Sequence, residues 1–88
     1  MSDGDSLFVF PCEFPIKVMG RDGEPFRALT RTIIERHAGP LAPAQITERP
    51  SAKGNFLALT YTIEAQSRAQ LDAIYQDLTA SGVVLVAL

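Results

Sequence analysis

Phe56-Leu57-Ala58-Leu59-Thr60-Tyr61-Thr62-Ile63-Glu64 sets large apolar side chains against small or polar ones at every second position. A period of two, rich in strand-favouring residues, is the pattern of a β-strand that buries Leu57, Leu59, Tyr61 and Ile63 on one face. Shortly after it, Ser67 followed three residues later by Gln70 forms a capping box that opens a helix. Leu71, Ile74, Tyr75 and Leu78 are the buried stripe of that helix, and Gly82 suits its left-handed C-terminal position. Upstream, Ser51-Ala52-Lys53-Gly54-Asn55 reads as a hairpin connection. It leads back to a short edge strand expected over 44–48, bracketed by Pro43 and Pro50.

Working outward, Phe14, Ile16 and Val18 alternate with Pro15, Lys17 and Met19, which predicts a first strand over 14–20. Gly20-Arg21-Asp22-Gly23 is a turn, and Pro25 fits the first turn of a helix. At 100° per residue Phe26, Leu29, Thr30, Ile33, Ile34 and His37 share one side, with Arg27, Arg31 and Glu35 opposite, until Gly39-Pro40 stops the helix. The closing Val83-Val84-Leu85-Val86-Ala87-Leu88 is a last strand, apolar on both faces. The order β-α-β-β-α-β is the split βαβ arrangement of an α+β, ferredoxin-like sandwich. Right-handed crossovers put the sheet in the order 4-1-3-2, with both helices on one face.

The ends and the composition fill in the rest. Residues 1–6 are small and polar and are expected to form a mobile tail, leaving 7–88 as a single domain. Leu7-Phe8-Val9-Phe10, closed by Pro11, reads as an extended lead-in covering part of that domain, with Pro15 interrupting strand hydrogen bonding near the start. Eighty-eight residues suffice for one core, and 47% hydrophobic residues allow that core without disulfides. A net charge of −2 excludes bulk electrostatic gripping of nucleic acid or anionic lipid. One cysteine and one histidine cannot build a disulfide framework or a structural zinc site, and no cofactor is expected. No basic leader or long apolar run is present, so the expected location is the cytoplasm, with no membrane contact.

Several stretches together resemble a known family. They are Phe10-Pro11-Cys12-Glu13-Phe14, the Lys17-Val18-Met19-Gly20 end of the first strand, His37 closing the first helix, Pro50-Ser51-Ala52-Lys53-Gly54-Asn55-Phe56, and the apolar last strand. The chain from about Leu7 onward is similar to the YbeD-like family of small bacterial proteins. The resemblance implies a ferredoxin-like fold similar to the ACT regulatory domains that bind amino acids. Members are sometimes labelled lipoate-regulatory proteins, and no catalytic residues come with the resemblance. The chain departs from the family chiefly in the Gly20–Glu24 loop.

The candidate binding residues are Arg49, Ser51, Lys53, Gly54, Asn55 and Phe56. Lys53-Gly54-Asn55 sets a cation, two consecutive backbone N–H groups and an amide at a hairpin tip, a combination that can hold a small anion or a carboxylate. The alternative is that Gly54 and Asn55 supply positive φ and local hydrogen bonds, leaving Lys53 in water. His37 lies where the helix dipole favours a positive charge, but without a second ligand or a nucleophile beside it, it reads as a packing residue with one hydrogen bond. Cys12 next to Glu13 lacks the electropositive setting of a reactive thiolate.

Phe56, Met19 and one row of the last strand make the helix-free sheet face apolar, which predicts that something covers it: the lead-in, a second copy, or another protein. The expectation is therefore a non-catalytic ACT-like binding or regulatory module with a protein or small-metabolite partner, or a homodimer through the sheet face or edge. Nucleic acid is not expected, since Lys53-Gly54-Asn55-Phe56-Leu57 displaces the aromatic of an RNA-recognition strand by one and lacks the second. The enzymatic alternative is an acylphosphatase-like hydrolase, faintly echoed by Val18-Met19-Gly20, Phe26-Arg27 and Asn55, with Asp22 and Glu24 placed to repel a phosphate.

Overall fold

The computed structural model describes residues 9–88. The tail expected over 1–6, and Leu7 and Phe8 of the lead-in, lie outside them. The elements are β1 (Cys12–Arg21), α1 (Glu24–Ala38), β2 (Ile46–Pro50), β3 (Phe56–Ala65), α2 (Arg68–Ala80) and β4 (Val86–Ala87). The sheet is antiparallel throughout and ordered β2-β3-β1-β4, the expected 4-1-3-2 read from the other edge.

Strand parity decides what is buried. Ile16 and Val18 of β1 and Leu57, Leu59, Tyr61, Ile63 and Ala65 of β3 face the helices, and Phe26, Ile33, Ile34, Leu71, Ile74 and Leu78 meet them. Each such fully buried aliphatic side chain contributes about 1.5–3 kcal/mol relative to exposure. One polar pair sits inside this core: the Thr30 hydroxyl and the Tyr61 hydroxyl are 2.7 Å apart, and Thr30 Oγ1 also donates to the Phe26 carbonyl at 2.8 Å. Burial pushes the Tyr61 hydroxyl up from its ordinary pKa, so it stays a neutral hydrogen-bonding group.

Four local expectations are corrected. β1 begins at Cys12 and runs through Pro15 instead of being interrupted there. The backbone of Lys17 exchanges both hydrogen bonds with Leu88 of the neighbouring segment, so odd-numbered residues of β1 turn their N–H toward the β4 side. Pro15 lies beyond the reach of β4, whose pairing stops at Lys17, and its missing N–H costs no ladder bond. β2 is shifted by two residues to Ile46–Pro50, because Pro43–Gln45 forms a 3₁₀ turn. That turn is held by Gln45, which accepts from the Ala42 N–H at 2.8 Å and donates to the Thr62 carbonyl at 2.9 Å.

β4 pairs as a ladder only at Val86 and Ala87. Val83 and Val84 leave the sheet and pack against the core, crossing β1 where Gly20 leaves room. The capping box is only half reciprocal. Ser67 Oγ accepts from the Gln70 N–H at 3.1 Å, but the Gln70 amide oxygen takes the N–H of Gln66 at 2.7 Å, and its nitrogen donates to the His37 carbonyl at 3.0 Å. Gln70 thereby ties the start of α2 to the end of α1.

Candidate functional site

The helices leave one sheet face open, and the register lays out its rows. The row Arg49, Ala58, Met19 and Val86 crosses all four strands. One step toward the hairpin, Arg21 pairs with Phe56, its guanidinium carbon 5.8 Å from the ring centroid. One step the other way lie Thr47, Thr60 and Lys17, with Leu88 beside Lys17. Met19, Phe56, Val86 and Leu88 are 43%, 36%, 46% and 71% exposed, so among the described residues none covers this part of the face. Of the lead-in, Phe10 packs against the core and Val9 is exposed, and among the described residues β4 pairs with β1.

Of the six candidate residues, Arg49, Ser51 and Phe56 come together with Met19 around a shallow depression of about 320 Å³ at the β2–β3 end of this face. Lys53, Gly54 and Asn55 lie at the hairpin tip beyond it. There the Gly54 N–H donates to the Ser51 carbonyl at 3.0 Å, Ser51 N–H to the Phe56 carbonyl at 2.9 Å, and Phe56 N–H to Ser51 Oγ at 3.2 Å. Gly54 has φ +73, as the turn requires. Among the described residues only glycines have positive φ, so Asn55 does not take the left-handed conformation considered for it; its carbonyl accepts from the Asp22 N–H at 3.1 Å. Lys17, Arg21 and Val86 were not singled out from the sequence. The first two share the odd-numbered parity of Met19 and could have been found by it, whereas the register of Val86 is a tertiary fact.

The remaining candidates sit elsewhere. His37 Nε2 lies 2.6 Å from Asp77 Oδ2, the single side-chain hydrogen bond expected of a packing residue. That hydrogen bond, followed by the charges of His37 and Arg36, holds the Asp77 carboxyl below its ordinary range. Cys12 is partly buried against the core. Arg27 is held by Asp22 at 3.0 Å, Glu48 at 3.1 Å and Glu24 at 3.8 Å, so three carboxylates surround the one cation nominated for a phosphate. A second depression, of about 340 Å³, opens between the β1–α1 loop and the α2–β4 connection, lined by Arg21, Pro25, Phe26, Val83 and Leu85 among others. Among the described residues no helix is long and apolar enough to cross a membrane.

Comparison with known proteins agrees with this architecture. A UPF0250 protein of Chromobacterium violaceum is 43% identical over 89 aligned positions, covering 100% of both chains. Another, of Paraburkholderia phytofirmans, is 41% identical over 87 residues, covering 99% of this chain and 98% of its own. The solution structure of protein HP0495 from H. pylori superposes with a TM-score of 0.69 at 15% identity, covering 92% of this chain and 85% of that one, a likeness of fold. The profile of a family described as "Protein of unknown function (DUF493)" matches residues 5–88. The chain therefore belongs to the DUF493 family of unknown function, together with the UPF0250 proteins, in agreement with the YbeD-like resemblance of its motifs.

Proposed function

We propose that this protein is a non-catalytic binding module that engages a polypeptide partner through the open face of its sheet. The observation that carries the reading is the exposed apolar patch of Met19, Phe56, Val86 and Leu88 on a face that no element among the described residues covers. Four large apolar side chains exposed on one sheet face leave surface that a partner would remove from water. The hydrolase alternative gains nothing from the geometry, because Arg27 is already neutralised by Asp22, Glu48 and Glu24. A regulatory role of the ACT kind would use the same module with a ligand-dependent partner.

The test places a photo-crosslinking amino acid at Met19 and, as a control, at Gln76 on the exposed side of α2. The expected result is one discrete adduct from position 19 and none from 76, the adduct being identified by mass spectrometry. The purified partner should then bind wild type and lose binding to Met19→Glu. Equal adducts from both positions, or none from 19, would refute the reading.

A small metabolite is the second reading, favoured by the mainly apolar 340 Å³ depression beside Phe26 and Val83. Thermal unfolding with amino acids, octanoate, lipoate and acyl phosphates separates the two. A ligand at 100 times its Kd raises stability by about 2.7 kcal/mol, whereas face binding of a polypeptide predicts no shift.

A further inference from the structure

The charges of this molecule sort by face. Of its 8 lysines and arginines, the four on the helices are paired: Arg27 with Asp22, Glu24 and Glu48, Arg31 with Glu35, Arg36 with Asp77, and Arg68 with Asp72. Among the described residues the other four, Lys17, Arg21, Arg49 and Lys53, have no ion pair. Three of them stand on the open sheet face around Met19, and the fourth is on the hairpin tip that prolongs it. Among the described residues no acidic side chain lies between them. Glu13 and Glu64, which are Cα partners, sit at the far end of the same face, six residues along β1 from Met19, or about 20 Å.

We propose that the Met19 end of the open face docks an acidic polypeptide segment that also carries apolar side chains. The proposal rests on the open-face reading above and names the chemistry of the partner. Apolar contact with Met19, Phe56 and Val86 supplies burial, and Lys17, Arg21 and Arg49 around it select for carboxylates. The patch spans four strands, about 14 Å across, which an extended segment of four to six residues covers.

Two other occupants fit less well. A second copy stacked on the same patch would bring Lys17, Arg21 and Arg49 against their own equivalents, and like charges facing each other in an interface oppose association. Single-stranded RNA is read by two or three stacking aromatics. Among the described residues, of the exposed large apolar side chains on this face only Phe56 is aromatic, its ring already lies near the Arg21 guanidinium, and Met19, Val86 and Leu88 are aliphatic.

The experiment is selection from a random twelve-residue peptide library displayed on phage, with full-length wild-type protein and the Arg21→Glu/Arg49→Glu variant as baits. Folding of the variant is checked by circular dichroism, and Arg21→Gln/Arg49→Gln serves if the reversal unfolds it. The expected result is enrichment by wild type of peptides that combine Asp or Glu with Leu, Ile or Phe. Their synthetic versions should shift the amide resonances of Met19, Phe56 and Val86, and binding should fall about tenfold or more in the variant. It should also weaken as salt rises.

Peptides that map to the same face without an acidic bias would overturn the proposal and leave the open-face reading standing. Peptides that map to another surface would overturn both. No enrichment overturns the proposal, and a dimer that Met19→Glu dissociates in sedimentation would then assign the face to a second copy. Tighter binding of a twelve-nucleotide oligouridine than of any peptide would overturn it in favour of RNA.

Discussion

Replacing Gly20 by alanine tests the packing that sets the course of β4. Gly20 is buried on the helix side of β1, and a Cβ there would lie 2.5 Å from the Val83 carbonyl oxygen and 2.6 and 2.7 Å from Cε1 and Cδ1 of Phe26. Ordinary carbon contacts are about 3.5–4.0 Å, so both neighbours must retreat by about 1 Å. Neither is the free end of a flexible chain: one is backbone, and the other is a ring only 3% exposed. Overpacking of this kind costs about 1–3 kcal/mol, and the double obstruction places Gly20→Ala near the upper end. The smaller conformational freedom of alanine in the unfolded chain returns up to about 1 kcal/mol. The net loss is then about 2 kcal/mol, which in an 88-residue chain lowers Tm by roughly 10 °C. Urea unfolding followed by circular dichroism measures it, and Phe26→Leu in the Gly20→Ala background should recover part of the loss by making space. Gly54→Ala is the contrast: nothing lies within 4 Å of its Cβ position, so its cost of about 1 kcal/mol is one of backbone conformation alone. A Gly20→Ala protein within about 0.5 kcal/mol of wild type would refute the packing argument.

In the core, Thr30→Val should cost more than Tyr61→Phe, because the former strands a buried Tyr61 hydroxyl while the latter leaves Thr30 donating to the Phe26 carbonyl. Values of about 2 and 1 kcal/mol in denaturant unfolding are expected, and the reverse order would contradict the assignment. For Asp77, the folded-state pKa lies below its ordinary value of 3.8, mainly through the hydrogen bond with His37. Above that ordinary value the carboxylate is ionised in both states and its stabilisation is fully present. As pH falls through the depressed folded pKa the stabilisation is lost, so the stability gap between wild type and Asp77→Asn should close on acidification below about pH 4, and a gap independent of pH would count against it. Finally, purified protein should show no acyl-phosphate hydrolysis that Arg27→Ala abolishes, as colorimetric phosphate release will read.

Much of this was legible in the residues. The alternation from Phe56 to Glu64 and the stripes Phe26, Thr30, Ile33, Ile34 and Leu71, Ile74, Leu78 each state a period and a buried face, and the element order with right-handed crossovers leaves one topology. The errors lie where a residue answers to a distant partner. Gln45 was invisible as the anchor of a turn because its acceptor, the Thr62 carbonyl, is 17 positions away. Pro15 looked like a strand breaker because nothing local says which side of β1 lacks a neighbour.

The candidate site divides in the same way. By itself the sequence determined that Met19 and Phe56 would lie on the helix-free face and that Arg49 and Ser51 would flank a hairpin, because strand parity is a local property of the backbone. Only the tertiary structure decided that Val86 lies beside Met19 on that face, that Arg27 is neutralised by Asp22, Glu24 and Glu48, and that among the described residues Lys17, Arg21, Arg49 and Lys53 have no ion pair. Charge pairing and cross-strand register depend on distances between segments, and those distances come into being only when the sheet closes and the helices settle on one side of it.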